Sequence, residues 1–209
     1  MIMIKIESKH NDIGGCKLHW LEAGDRQGDT VLLLHGMKFQ AATWQELGSL
    51  ELLARNGFHV IAIDMPGFGD SPVCDRDTDE VLTAFVRQHG ISPLVLVGPS
   101  MGGRIALEFS LAHPDLVSAL VLVGPVGVAD NEDRLATISR PVLAIWGSED
   151  QIAPLEHCNL LQQHIRNCRC EVIQGAPHPC YLDQPEAWHR LVLDFLQEIR
   201  KETEGQQTG

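Results

Sequence analysis

Short apolar runs of strand length alternate with stretches of helical period along most of this chain, and no other feature limits its fold as tightly. Residues 30–35, 59–63, 94–97, 118–123, 141–146 and 169–173 read as strands. Between them, 43–56, 77–89, 101–113, 155–165 and 186–200 carry apolar residues at helical spacing, and Gly57, Gly90 and Pro114 supply stops. Strands that are apolar on both faces and separated by helices predict an α/β domain, a mostly parallel central sheet with helices on both faces. The opening differs. Residues 1–8 and 16–22 flank a polar turn, Asn11-Asp12-Ile13-Gly14-Gly15, which predicts an antiparallel hairpin on the sheet edge. With 209 residues, no internal repeat and no linker, a single domain over 1–209 is expected, with 202–209 as a frayed polar tail.

In an open parallel sheet, sites gather at the carboxyl ends of strands. The strand 94–97 runs into Gly98-Pro99-Ser100-Met101-Gly102-Gly103 and then a helix, which is G-x-S-x-G in the strand–turn–helix context the motif requires. A serine on so sharp a turn stands clear of the sheet, and Gly98 and Gly102 are the residues that such a turn tolerates. Such a serine needs a base, and the base needs an orienting acid, in the chain order Ser, Asp or Glu, His. Asp150 follows the strand ending at Trp146, and His178 follows the strand ending near Ile173, so both fall at the edge that carries Ser100. Glu149 and Asp130 compete for the acid's place, Asp130 being the nearer rival. His10, His19, His59, His89, His113, His157, His164 and His189 lie within elements or at their wrong ends, and His35 precedes the nucleophile and fits a structural loop role. Backbone N–H groups of Met101 and Met37 are the expected oxyanion hole. The loop 64–71 reads as architectural, and Lys38 and Arg104 as solvated surface.

Hydrophobic residues at 44% and charged residues at 21% exclude a disordered chain. Sixteen Lys and Arg against 28 Asp and Glu give a net charge of −12, which argues against nucleic acid as a partner. No apolar run approaches the ~20 residues needed to span a bilayer, so no membrane partner is expected either. The N-terminus lacks the features of a secretory signal. The six cysteines form no C-x-x-C pair, and reduced thiols and a cytoplasmic location are expected. Only about 15 residues, 126–140, separate two strands where a helical lid could be inserted, too few for several helices, so an open site is predicted.

The set H-G, D-x-P-G-x-G-x-S, G-x-S-x-G, G-x-x-D and a late histidine resembles the α/β-hydrolase fold over residues 16–200. The segments 32–48, 62–69 and 178–189 resemble more closely the small abhydrolase domain-containing 14 family. That resemblance implies a Ser100, Asp150, His178 triad, acyl-ester hydrolysis and a cytoplasmic or nuclear setting. It also implies a second activity, removal of acetyl groups from lysine with transfer to coenzyme A. The turn G-P-S-M-G-G is nearer the general hydrolase pattern than the S-P-S-L-S-G of that branch. The expected function is a serine hydrolase of small acyl esters, with no metal and no redox cofactor. An acyltransferase, or a non-catalytic interaction protein on the same fold with a protein partner, stays open as the alternative.

Overall fold

The computed structural model describes residues 4–207. Eight strands form one sheet: β1 (Glu7–Ile13), β2 (Cys16–Ala23), β3 (Thr30–Leu33), β4 (His59–Ile63), β5 (Leu94–Pro99), β6 (Val117–Val123), β7 (Val142–Gly147) and β8 (Cys168–Ile173). Their order is β1-β2-β4-β3-β5-β6-β7-β8, with every pairing from β4 to β8 parallel and the pairings β1–β2 and β2–β4 antiparallel. The period of two along each strand builds two cores. Leu32, Ile61, Ile63 and Leu96 face one side, where α3 (Thr78–His89), α4 (Met101–Ala112) and α6 (Glu156–His164) add Phe85, Leu107 and Leu161. Val31, Leu33, Val60 and Val97 face the other. There α1 (Ala41–Glu46), α2 (Ser49–Arg55) and α8 (Pro185–Gln207) add Trp44, Leu53 and Trp188. Two short helices, α5 (Glu132–Leu135) and α7 (Cys180–Asp183), complete the chain.

Local chemistry explains most boundaries. The Asp77 side chain accepts the N–H of Asp79 and caps α3, and Gly90 ends that helix at φ +61°. The hairpin turn is tighter than its polar run suggests. β1 continues to Ile13, and Gly14 and Gly15, both at positive φ, make the two-residue turn that a right-twisted hairpin favours. The predicted start of this strand is corrected to Glu7; residues 1–3 lie outside the described ones. The expected helix over 43–56 is two helices, because Gly48 at φ +82° turns the chain between α1 and α2. The expected polar tail 202–209 is helical where it is described. Helix α8 runs on to Gln207, well past Glu202, and residues 208–209 lie outside the described ones.

The cysteine expectation is corrected as well. Cys16 is bonded to Cys74 and Cys158 to Cys170, leaving Cys168 and Cys180 free. Cα separations of 5.7 and 5.9 Å sit in the ordinary disulfide range. Partners 58 and 12 residues apart leave no spacing motif in the sequence. With four of six cysteines oxidised, cysteine usage no longer points to a reducing compartment. Among the described residues, no helix is long and apolar enough to cross a membrane.

Candidate active site

Strand β5 delivers Ser100 to the N-terminus of α4. Ser100 sits at φ +52°, ψ −113°, and among the described residues it is the one non-glycine at positive φ. That conformation costs an L residue on the order of 1–3 kcal/mol and persists only where its surroundings impose it. Here they do. The N–H of Ser100 donates to Val123 O at 2.9 Å, tying the turn to the end of β6. A Cβ on Gly98 would overlap the carbonyl of Gly102, and one on Gly102 would stand 2.7 Å from His35 O. Gly103, which the motif does not demand, is equally confined: its Cβ would lie 2.8 Å from both Gly98 O and Pro125 Cβ.

Asp150 and His178 meet from the loops after β7 and β8. His178 Nδ1 lies 2.7 Å from Asp150 Oδ2, and the Asp150 side chain is wholly buried. Asp150 Oδ1 accepts the N–H groups of Ile152 and Ala153 at 2.8 and 2.9 Å, so the carboxylate is held by three donors. A carboxylate only accepts, so Nδ1 of His178 is the donor in this bond, and the neutral form of the ring has its lone pair on Nε2. Gly147 lets the two loops pack, since a Cβ there would overlap the carbonyls of Ala176 and Pro177. Glu149, the adjacent acid, is exposed, its N–H donating to Ala176 O. Asp130 is elsewhere, 62% exposed and 3.1 Å from Arg104 Nη1.

Gly124, which no motif singles out, joins the two halves. It follows Val123, the partner of Ser100, and its Cβ would lie 2.9 Å from Asp150 Oδ2 and 3.3 Å from His178 Nδ1. Ser100 and the Asp150–His178 pair are thus brought to one place, although His178's hydrogen bonds among the described residues end at Asp150 and none reaches Ser100 Oγ. Such bonds are often long in an unliganded enzyme and tighten when substrate is bound.

His35 has the structural role its position suggested. Its Nδ1–H donates to Gly36 O at 2.9 Å, and its Nε2 accepts the N–H of Met65 at 3.1 Å. Burial lowers its pKa and so favours the neutral ring that this pattern needs. The turn it fixes carries Gly36, whose Cβ would stand 3.8 Å from Ser100 Cβ, and then Met37. Among the described residues neither Met37 N–H nor Met101 N–H meets a backbone acceptor; Met101 opens α4, where helical N–H groups lack one. Arg104, one turn on, is engaged by Glu108 at 2.9 Å and Asp130 at 3.1 Å. Cys180, two residues past His178, is buried, and burial together with the Asp150 charge pushes its thiol up to about 12, so it stays protonated. Among the described residues no group of three or more His, Cys, Asp or Glu side chains is placed to hold a metal ion. The arrangement sets a serine hydroxyl on a strained turn at a helix N-terminus and an imidazole held by a buried carboxylate at the same sheet edge.

The α/β hydrolase fold family matches residues 29–133. ABHD14B of Rattus norvegicus, named for protein-lysine deacylation, is 35% identical over 95% of this chain and 100% of its own length. The Homo sapiens ABHD14B is 36% identical over 82% of this chain and 84% of its own. Among solved structures, a predicted CIB-like hydrolase of Thermoplasma acidophilum superposes with a TM-score of 0.90 at 25% identity, covering 94% of this chain and all of the other.

Proposed function

The chain belongs to the α/β-hydrolase fold family, in its ABHD14 branch, and on that footing we propose that it is a serine hydrolase of small acyl esters working through an acyl-enzyme. In this reading Ser100 Oγ attacks the acyl carbonyl while Nε2 of His178 takes its proton. Asp150 holds the resulting imidazolium, and the N–H groups of Met37 and Met101 receive the oxyanion. Collapse of the tetrahedral intermediate expels the alcohol, which leaves with the proton from His178 and a Ser100 ester behind. Water then attacks that ester, His178 taking its proton, and the carboxylic acid departs as Ser100 recovers its hydrogen.

The observation that carries this reading is the left-handed backbone of Ser100 in a turn whose glycines admit no side chain. Backbone strain of this kind clusters at functional sites, where the surroundings hold it in place. Water as acyl acceptor is favoured over coenzyme A for two reasons. The segment 126–140 holds only a 3₁₀ turn, Ala129–Asn131, and α5, so no lid shields an acyl-enzyme from solvent. Arg104, the obvious partner for an acceptor's phosphates, already faces two carboxylates. The test is a fluorophosphonate probe with the wild type and Ser100→Ala. Labelling of the first and not the second supports the proposal; a folded wild type that resists the probe returns the chain to the non-catalytic interaction reading. A coenzyme A titration of the product ratio then decides between water and thiol.

A further inference from the structure

Among the described residues three large apolar side chains are exposed: Met37 at 67%, Val73 at 83% and Ile152 at 65%. A single exposed apolar residue needs no explanation. These three, however, all stand at the carboxyl edge, in the loops after β3, β4 and β7, while the rest of the described surface has none. The strand order β4-β3-β5-β6-β7 puts Met37 and Val73 on one side of Ser100 and Ile152 on the other. From β4 to β7 is four strand spacings, about 19 Å at ~4.8 Å each.

Each side chain is presented on pinned backbone. Met37 follows the turn fixed by His35. Val73 precedes the disulfide-bonded Cys74 and backs onto Gly67, whose Cβ would lie 3.5 Å from Val73 Cγ2. Ile152 is anchored through its own N–H on Asp150. The exposed charges in these loops are Asp70, Asp75, Asp77 and Glu149 against Lys38 and Arg76, an acidic excess that disfavours an anionic substrate.

We infer, resting on the serine hydrolase reading, that the substrate is a neutral ester with an apolar group on each side of the scissile bond, one seated on Met37 and Val73 and the other on Ile152. With no lid to supply apolar walls, these loops supply them, and the carboxylate product is repelled from the acidic rim.

The experiment uses two series of soluble esters: nitrophenyl esters with acyl chains from acetyl to octanoyl, and butyrate esters of methyl, butyl and benzyl alcohol. Each is read as a ratio of kcat/KM, long over short, in the wild type, Val73→Ser and Ile152→Ser. The wild type is expected to favour the longer group in both series. One variant should lower the acyl ratio and the other the alcohol ratio, each about tenfold, the order of discrimination that a methylene or two provides. Flat ratios in an active wild type, or variants that leave both ratios within twofold, overturn the inference and leave the hydrolase reading standing. So does activity that rises only above the critical micelle concentration, which would assign these residues to a lipid surface. A wild type that neither turns over ester nor takes the fluorophosphonate probe defeats the hydrolase reading itself, and this inference with it.

Discussion

Among the described residues Ser8, His19 and Asp64 form a second Ser–His–Asp set beside Ser100, His178 and Asp150, and the set with the better hydrogen bonds is not the candidate site. Ser8 Oγ lies 3.0 Å from His19 Nε2, and His19 Nδ1 lies 2.6 Å from Asp64 Oδ2, an unbroken chain across β1, β2 and the end of β4. At the carboxyl edge the Asp150–His178 bond is 2.7 Å, but the link to Ser100 is unmade. The surroundings separate them. Ser8 lies in a regular strand, with neither a strained turn nor a helix N-terminus beside it. His19 is buried, and both of its ring nitrogens are occupied. Asp64 also accepts the N–H of Ala41 at 2.6 Å and of Asp70 at 3.0 Å, and Ser71 Oγ donates to its carbonyl oxygen. It clasps β2, α1 and the following loop together. A Cβ on Gly69 would overlap that carboxylate, which explains a glycine in the D-x-P-G-x-G run. The proposed nucleophile is thus set apart by its strained turn and its place at a helix N-terminus, not by a finished hydrogen-bond chain.

Paired substitutions put this contrast under load. The largest effect is expected from Ser100→Ala, a loss of about 10⁶ in kcat, whereas Ser8→Ala should leave turnover and probe labelling intact. Labelling at Ser8 would break the distinction. Next, Asp150→Asn should cost around 10⁴ in kcat, by favouring the wrong tautomer of His178, with little change in melting temperature. Asp64→Asn should do the reverse, losing about 3 kcal/mol of stability while the folded fraction keeps its kcat. Asp130→Asn, on an exposed pair, should alter neither appreciably. Equal kinetic losses at Asp150 and Asp130 would move the acid.

The third test concerns the disulfides flanking the two regions. Cys16–Cys74 joins β2 to the loop beyond Asp64 and closes a separation of 58 residues, so its removal as a double alanine variant should cost about 4 kcal/mol. Cys158–Cys170, closing 12, should cost about 3 kcal/mol. Denaturant unfolding of both variants checks the order. A smaller kinetic loss than at Ser100 or Asp150 is expected from Gly124→Ala. Its methyl group would press on Asp150 Oδ2 and His178, and a displacement of about 1 Å there should lower kcat by about 10². A normal kcat in the Gly124→Ala variant would show that the Asp–His pair tolerates movement.

Much of this was legible without a structure, and for a common reason. Apolar runs, helical periodicity, the G-x-S-x-G turn and the Gly and Pro stops are local patterns, so the sheet, its helices and the edge carrying Ser100, Asp150 and His178 could be read from neighbours in sequence. His178 Nδ1 meets the carboxylate of Asp150, while Asp130 pairs with Arg104. Tertiary structure alone decided the rest. Gly103, Gly124 and Gly147 are confined by atoms from other loops, and a sequence carries no sign of which loops will touch. Ser8, His19 and Asp64 align only because β1–β2 and β2–β4 adopt one register, with His10 opposite His19 and Trp20 opposite Ile63. The cysteine partners likewise become neighbours only when distant elements pack. Period and turn chemistry act within a few residues and are written in order along the chain; register and loop contact depend on how whole elements bury their apolar faces, which no short stretch encodes.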